Sequence, residues 1–138
     1  MAVKYVLDAC ALLAFFYREN GFDVVQSVLN QADVGKAEIY MNKLNLLEVY
    51  YDILRSKDLQ QAEACYDIVF KLPITVIDCI SDSVLRKAGQ LKIKYTMSIA
   101  DSIALGEASI KDASILTSDH KEFDPVDRGE KINFMWIR

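Results

Sequence analysis

VKYVLDACALLAFFY, residues 3 to 17, joins two kinds of local pattern at a single acid. Residues 3 to 7 form a short apolar run that reads as a buried strand, and the Ala- and Leu-rich residues 9 to 17 read as a helix begun at Asp8. Strand followed directly by helix is the first half of a βα unit. Asp8 stands at the join, inside the first hydrophobic run of the chain. Unpaired burial of a carboxylate costs on the order of several kcal/mol, so its presence there depends on what other groups arrive beside it.

The same alternation continues outward from this stretch. Gly21 precedes a helical pattern that runs through Leu29, with Val24, Val25, Val28 and Leu29 on one side, and residues 39 to 41 read as a second short strand. LNLLEVYYDILR (44–55) and LQQAEACYDIVFK (59–71) read as helices, the second stopped by Pro73. ITVI (74–77) and SILT (114–117) read as buried strands, with helices expected at 82–93 and 98–111 between them. A turn-like VDRGEK (126–131) leads to a final strand, NFMWI (133–137). Short β-rich runs alternating with longer helices predict a three-layer α/β/α sandwich around a mostly parallel central sheet of four to five strands. The 138 residues fit one domain spanning 1–138, with no linker, repeat or low-complexity tract. In such sheets ligands gather beyond the carboxyl ends of the strands, near the switch point.

Composition narrows the chemistry. Hydrophobic residues make up 52% and charged residues 26%, ordinary globular usage. Asp8 interrupts the opening run, which is too short for a membrane helix and too broken for a secretory core, so a cytoplasmic protein without a membrane span is expected. Cys10, Cys65 and Cys79 are odd in number and form no C-x-x-C pair, which points to reduced, partly buried thiols. A single histidine, His120, is expected at the surface; it leaves no His-rich metal site and little basis for a Ser/His/Asp or Cys/His nucleophile. No Gly-rich phosphate loop is present. The net charge of −4 argues against unaided binding of nucleic acid. A carboxylate-rich site reverses that logic locally once it holds a divalent cation.

Four acids occupy positions where carboxylates are costly. Asp8 ends the first strand and is also a suitable helix N-cap. Glu48 shares the spacing of Leu44, Leu47 and Tyr51, one apolar stripe, so it faces inward or towards a cleft unless it pairs with Arg55. Asn45, one turn earlier, is placed to help orient it. Asp101 lies in SIADSIALGEA, where Ser98-x-x-Asp101 has the form of a capping box. Asp119 follows SILT and reads as a cap for a short turn, DHKEF, with Glu122 completing the box and Thr117 and Ser118 as hydroxyl neighbours. Taken together, three of the four lie at strand ends or helix starts, where a parallel sheet collects its loops. Two carboxylates ~4 Å apart repel by ~4 kcal/mol at an effective dielectric of about 20. A cluster of three or four therefore calls for protonation or a hard cation such as Mg²⁺ or Mn²⁺.

The ordered set YVLDACALLAFF, NLLEVYY, SIADSIAL and ILTSDHKEF, spread over nearly the whole chain, resembles the PIN-domain family, in particular the small VapC-type toxins of toxin–antitoxin pairs. The resemblance implies a metal-dependent ribonuclease in which Asp8, Glu48, Asp101 and Asp119 hold one or two Mg²⁺ or Mn²⁺ ions and cleave an RNA phosphodiester. It also implies a homodimer and a cognate antitoxin. The family pattern has Ser or Thr two residues after the first acid, where this chain has Cys10, a poorer hydrogen-bond donor. Phe15, Phe16 and Tyr50 are candidates either for partner contacts or for the core. Arg86, Lys87, Lys92 and Lys94 form the densest basic run, with Arg55 and Lys57 a smaller one; each reads as a solvated helix face or as an RNA contact. Two other readings share the layout. An aspartyl phosphotransferase or a receiver-like switch wants a further acid after strand one, where only Asp8 stands, and a catalytically silent PIN-like module would bind RNA or protein without cutting.

Overall fold

The computed structural model describes residues 2–138. Five strands, β1 (Val3–Leu7), β2 (Ala37–Asn42), β3 (Thr75–Ile77), β4 (Ser114–Thr117) and β5 (Asn133–Trp136), form one sheet in the order β3-β2-β1-β4-β5. Every pairing is parallel: Tyr5 lies opposite Ile39 on one side and Ser114 on the other, and Leu116 lies opposite Met135. Seven helices connect the strands: α1 (Ala9–Tyr17), α2 (Phe22–Asp33), α3 (Lys43–Ser56), α4 (Leu59–Val69), α5 (Asp82–Lys94), α6 (Ile99–Lys111) and α7 (His120–Gly129).

Period-2 alternation in β1 divides the core between the two faces of the sheet. Tyr5 and Leu7 point to one face, where they pack with Leu12, Leu29, Leu46 and Val49 of α1, α2 and α3. Val6 points to the other, towards Leu91, Leu105 and Phe123 of α5, α6 and α7. This is the expected sandwich, all-parallel rather than mostly parallel. The chain steps from β1 outward to β2 and β3, then crosses back to add β4 and β5 on the far side of β1. Right-handed crossovers place the helices of the two halves on opposite faces, and the strand order reverses between β1 and β4. The carboxyl ends of these two strands are therefore the place where the loops part.

Glycine is required at one tight corner. Gly21, with φ +99°, lies against Ile137 so closely that a Cβ would come within 2.9 Å of the Ile137 carbonyl oxygen. That contact docks the α1–α2 turn on the chain beyond β5.

Several local expectations change. Residues 120–129 form one helix rather than a short turn followed by a second turn, although Pro125 sits inside it. Phe123 and Val126, three residues apart, are both fully buried, and their docking outweighs the missing N–H of the proline. On α3 the inward face is Asn45, Leu46, Val49 and Ile53, while Leu47 and Tyr51 of the expected stripe are 58% and 60% exposed. The helix carries apolar side chains on more than one face, so periodicity alone could not select which one packs. Cys10 and Cys65 are partly buried, but Cys79 is exposed, in the loop after β3. Phe15, Phe16 and Tyr50 are half-buried against the core cluster of the α1–α4 face. Among the described residues no helix is long and apolar enough to cross a membrane.

Candidate active site

Asp8 begins just beyond β1 and is both the N-cap of α1 and a fully buried carboxylate, 1% exposed. One oxygen, Oδ1, accepts the Ala11 N–H at 2.9 Å, and Oδ2 accepts the Thr117 hydroxyl. Thr117, the last residue of β4, also accepts the Asp119 N–H on its Oγ1 at 3.0 Å. One hydroxyl therefore ties the carboxyl ends of β1 and β4 together across the switch point. In the sequence Thr117 reads only as a neighbour of Asp119; its bond to Asp8 spans 109 residues and has no local signal.

The other three acids approach from their own elements. Asp101 is in the first turn of α6, where the Ser98 hydroxyl caps the helix by accepting the Asp101 N–H at 3.1 Å. Asp119 is the N-cap of α7 and accepts the Glu122 N–H at 3.1 Å. The capping roles read from the sequence are real, then, and leave these carboxylates beside one another. Glu48, half-buried on α3, makes no pair with Arg55, which bonds Asp52 instead at 2.9 Å.

Their proximity is visible in the proton affinities. Burial pushes Asp8 up to about 7 against the opposing hydrogen bonds from Thr117 and Ala11, and the charges of Asp101 and Asp119 push the same way. Asp101 also rises to about 7, through burial first and then the charges of Glu48, Asp119 and Glu122, opposed by Ser98. Glu48 is raised by burial and by Asp119. The charges of Asp101 and Asp119 thus bear on Asp8, those of Glu48 and Asp119 on Asp101, and that of Asp119 on Glu48. Glu122 joins them as a fifth negative charge; the sequence assigned it only to the cap, yet its spacing three residues after Asp119 was the available signal. Cys10 lies in the same field: burial, then Asp8, Asp119, Asp101 and Glu48, raise its thiol to about 12. It stands as a neutral S–H at the position of the family hydroxyl.

Two asparagines at the start of α3 bond across to α6. Asn45 is wholly buried, its Nδ2 donating to the Ala100 carbonyl at 3.0 Å while Oδ1 has no partner. Asn42 caps α3 and donates to Glu107 Oε2 at 2.9 Å, and Glu107 in turn accepts from Lys111 at 3.0 Å. The basic run is mostly engaged: Lys92 donates to the Met97 carbonyl at 2.6 Å, and Lys87 and Lys94 both reach Glu130 at 3.4 Å. Lys94 and Lys121 line a cleft of about 340 Å³ with Tyr95, Thr96, Glu122 and Pro125, and the charge of Glu122 also bears on Asp101. His120 is exposed, as expected, and stacks on Trp136 at 3.8 Å.

Among the described residues, no group of three His, Cys, Asp or Glu side chains is already arranged to hold a metal ion. The donor chemistry nevertheless fits one: the donors are oxygens only, and Asp8 and Asp101 are raised to about 7 by burial first and then by neighbouring carboxylate charges, a condition that a hard cation relieves.

The model of the PIN domain family matches residues 5–129. The chain belongs to the PIN-domain family. The fold is that of several solved toxin–antitoxin structures. One is VapBC2 from Rickettsia felis bound to a DNA fragment from its promoter, with a TM-score of 0.76 and 17% identity over 97% of this chain and 98% of that one. A second is DNA-bound VapBC from Salmonella typhimurium, with a TM-score of 0.73 and 13% identity over 99% of each chain. A third is VapC20 from Mycobacterium tuberculosis, a toxin that cleaves the sarcin-ricin loop, with a TM-score of 0.63 and 13% identity over 88% of this chain and 94% of that one. No curated protein matches this PIN domain in sequence.

Proposed function

We propose that this PIN domain, acting as a single unit over 1–138, is a divalent-metal-dependent endoribonuclease and the toxin of a VapBC-type pair. One observation carries the reading: Asp8, Glu48, Asp101 and Asp119, brought from four separate elements, share one field at the carboxyl end of the sheet, where the strand order reverses. The similarity in fold to VapC20, a toxin that cleaves the sarcin-ricin loop, agrees with it.

Asp8 and Asp101 are the central ligands in this reading, Asp119 completes the set, and Glu48 either joins them or orients the attacking water. One or two Mg²⁺ or Mn²⁺ ions bound there would neutralise the carboxylates, activate water and polarise the scissile phosphate. The chain's own part is to fix the acids before substrate arrives. Thr117 holds Asp8 Oδ2, the α1 N-terminus holds Oδ1, and the caps of α6 and α7 fix the backbones of Asp101 and Asp119.

Partners follow from exposed apolar surface. Exposed Leu47 on α3 lines a cleft of about 260 Å³ with Leu46, Tyr50 and Tyr66, edged by Lys43 and Glu63, which suits a mainly apolar segment of an antitoxin. Leu85 and Ile93 on α5, the latter 89% exposed, are available to a second copy of the chain in a homodimer. A cytoplasmic setting, where RNA and antitoxin are both met, fits these partners.

The deciding experiment incubates the purified chain with total RNA in Mg²⁺, Mn²⁺ or chelator, beside Asp8→Asn and Asp101→Asn. Cleavage should require metal and disappear in both variants while their circular dichroism is unchanged. Cleavage that persists in chelator or in either variant rejects the assignment, and metal binding without any cleavage would favour the silent module.

A further inference from the structure

Helices α3 and α6 are stitched together by two asparagines, Asn42 at the N-cap of α3 and Asn45 in its first turn. Asn42 reaches Glu107 at 2.9 Å, and Asn45, three residues later, reaches the Ala100 carbonyl at 3.0 Å. As α3 advances, its partners on α6 recede towards that helix's N-terminus, so the two run in opposite directions. One turn beyond Asn45 comes Glu48, and one residue beyond Ala100 comes Asp101. The second stitch thus ties together the stretches of α3 and α6 that carry these two acids.

This is where the helices have most reason to part. Glu48 is the leading charge acting on Asp101, and like charges at close range push their elements apart. Ser98 fixes the Asp101 N–H from one side, and Asn45 grips the preceding carbonyl from the other. Asn45 is 0% exposed, and its Oδ1 is left without a donor. A chain selected only for stability would gain little from it: an apolar residue of the same shape removes the orphaned acceptor and is often close to neutral. Ala100 lies within the first turn of α6, so its carbonyl also has the helix ladder as a partner.

We propose that Asn45 is a positioning residue, which holds α3 against α6 so that Glu48 and Asp101 stay close enough to serve one divalent cation. The inference rests on the metal-dependent reading given above. Asn45 touches neither substrate nor metal; it acts through the Ala100 backbone. Residues supporting metal ligands in this way typically change affinity or activity by about 10- to 100-fold when removed.

The test compares the full-length wild type with Asn45→Leu, and with Asn45→Ser in case the larger side chain perturbs folding. Three quantities are read: Mn²⁺ affinity by calorimetry, melting temperature in chelator, and the Mn²⁺ dependence of RNA cleavage. The expected result for Asn45→Leu is a melting temperature within a few degrees of wild type and Mn²⁺ binding about 10-fold or more weaker. Its cleavage rate should be largely recovered at saturating Mn²⁺. A folded variant that binds Mn²⁺ as tightly as wild type overturns the proposal and leaves Asn45 a plain structural tie. Wild type that binds Mn²⁺ and cuts RNA while the variants do the same refutes only the positioning role; wild type that does neither takes down the metal-dependent reading and this inference with it.

Discussion

Asp8→Asn should stabilise the metal-free protein at pH 8, and the difference from wild type should depend on pH. The buried Asp8 carboxyl is pushed from 3.8 to about 7 in the folded chain, so between those values the folded state holds a proton that the unfolded state has released. Stability contributed by this group is complete below about pH 4 and falls as pH rises to about 7. Each tenfold in proton affinity is about 1.4 kcal/mol, which makes the ionised carboxylate a burden on the order of 4 kcal/mol at pH 8. About two of those decades lie above pH 5, so the advantage of Asn over Asp should grow by about 3 kcal/mol between pH 5 and pH 8. Asn remains a good N-cap for α1, but it cannot accept the Thr117 hydroxyl as Oδ2 does, a loss of about 1 to 3 kcal/mol. That loss applies at both pH values and cancels in the comparison. For a chain of this length the pH-dependent gain corresponds to roughly 10 °C in melting temperature. Thermal melts of both proteins in chelator at pH 5 and pH 8 measure it, and adding Mn²⁺ at pH 8 should raise wild type alone. Equal differences between variant and wild type at the two pH values would refute the reasoning, because Asp8 would then ionise as an ordinary carboxylate.

Other consequences are independent of that one. Alkylation at pH 8 should label exposed Cys79 readily and leave Cys10 unmodified in the folded chain, since its thiol is held up to about 12; mass spectrometry reads the sites. Cys10→Ser should preserve the fold and tighten Mn²⁺ binding, because a hydroxyl donates better than a thiol, and calorimetry decides it. Gly21→Ala combines a φ of +99° with a contact at 2.9 Å to the Ile137 carbonyl, so urea denaturation should show a loss of roughly 2 to 3 kcal/mol. If the cleft beside Glu122 carries the RNA backbone, replacing Lys94 and Lys121 with Ala in an Asp8→Asn background should weaken RNA binding and flatten its salt dependence by about 1.4 in log–log slope. Replacing Lys57 should not.

The division between sequence and tertiary structure falls along the range of the interactions. Period, capping and breaker residues are local, and they located the five strands and most of the helices, including β4 at Ser114–Thr117. They also marked Asp8, Asp101 and Asp119 as helix-start acids, since caps act within one turn. Helix α7 escaped because Pro125 and the Gly129 region read as a turn, whereas burial of Phe123 and Val126 made them helical. The inward face of α3 escaped because apolar residues lie around more than one side, and only packing against the sheet and α6 chose Asn45 over Leu47. The sequence by itself therefore determined the βα alternation, the acids and their order. The tertiary structure decided that the strand order reverses between β1 and β4, that Thr117 rather than Cys10 holds Asp8, and that Glu122 and Asn45 stand with the acids. Those facts depend on contacts between residues far apart in the chain, whose geometry is set by the packing of whole elements rather than by any local pattern.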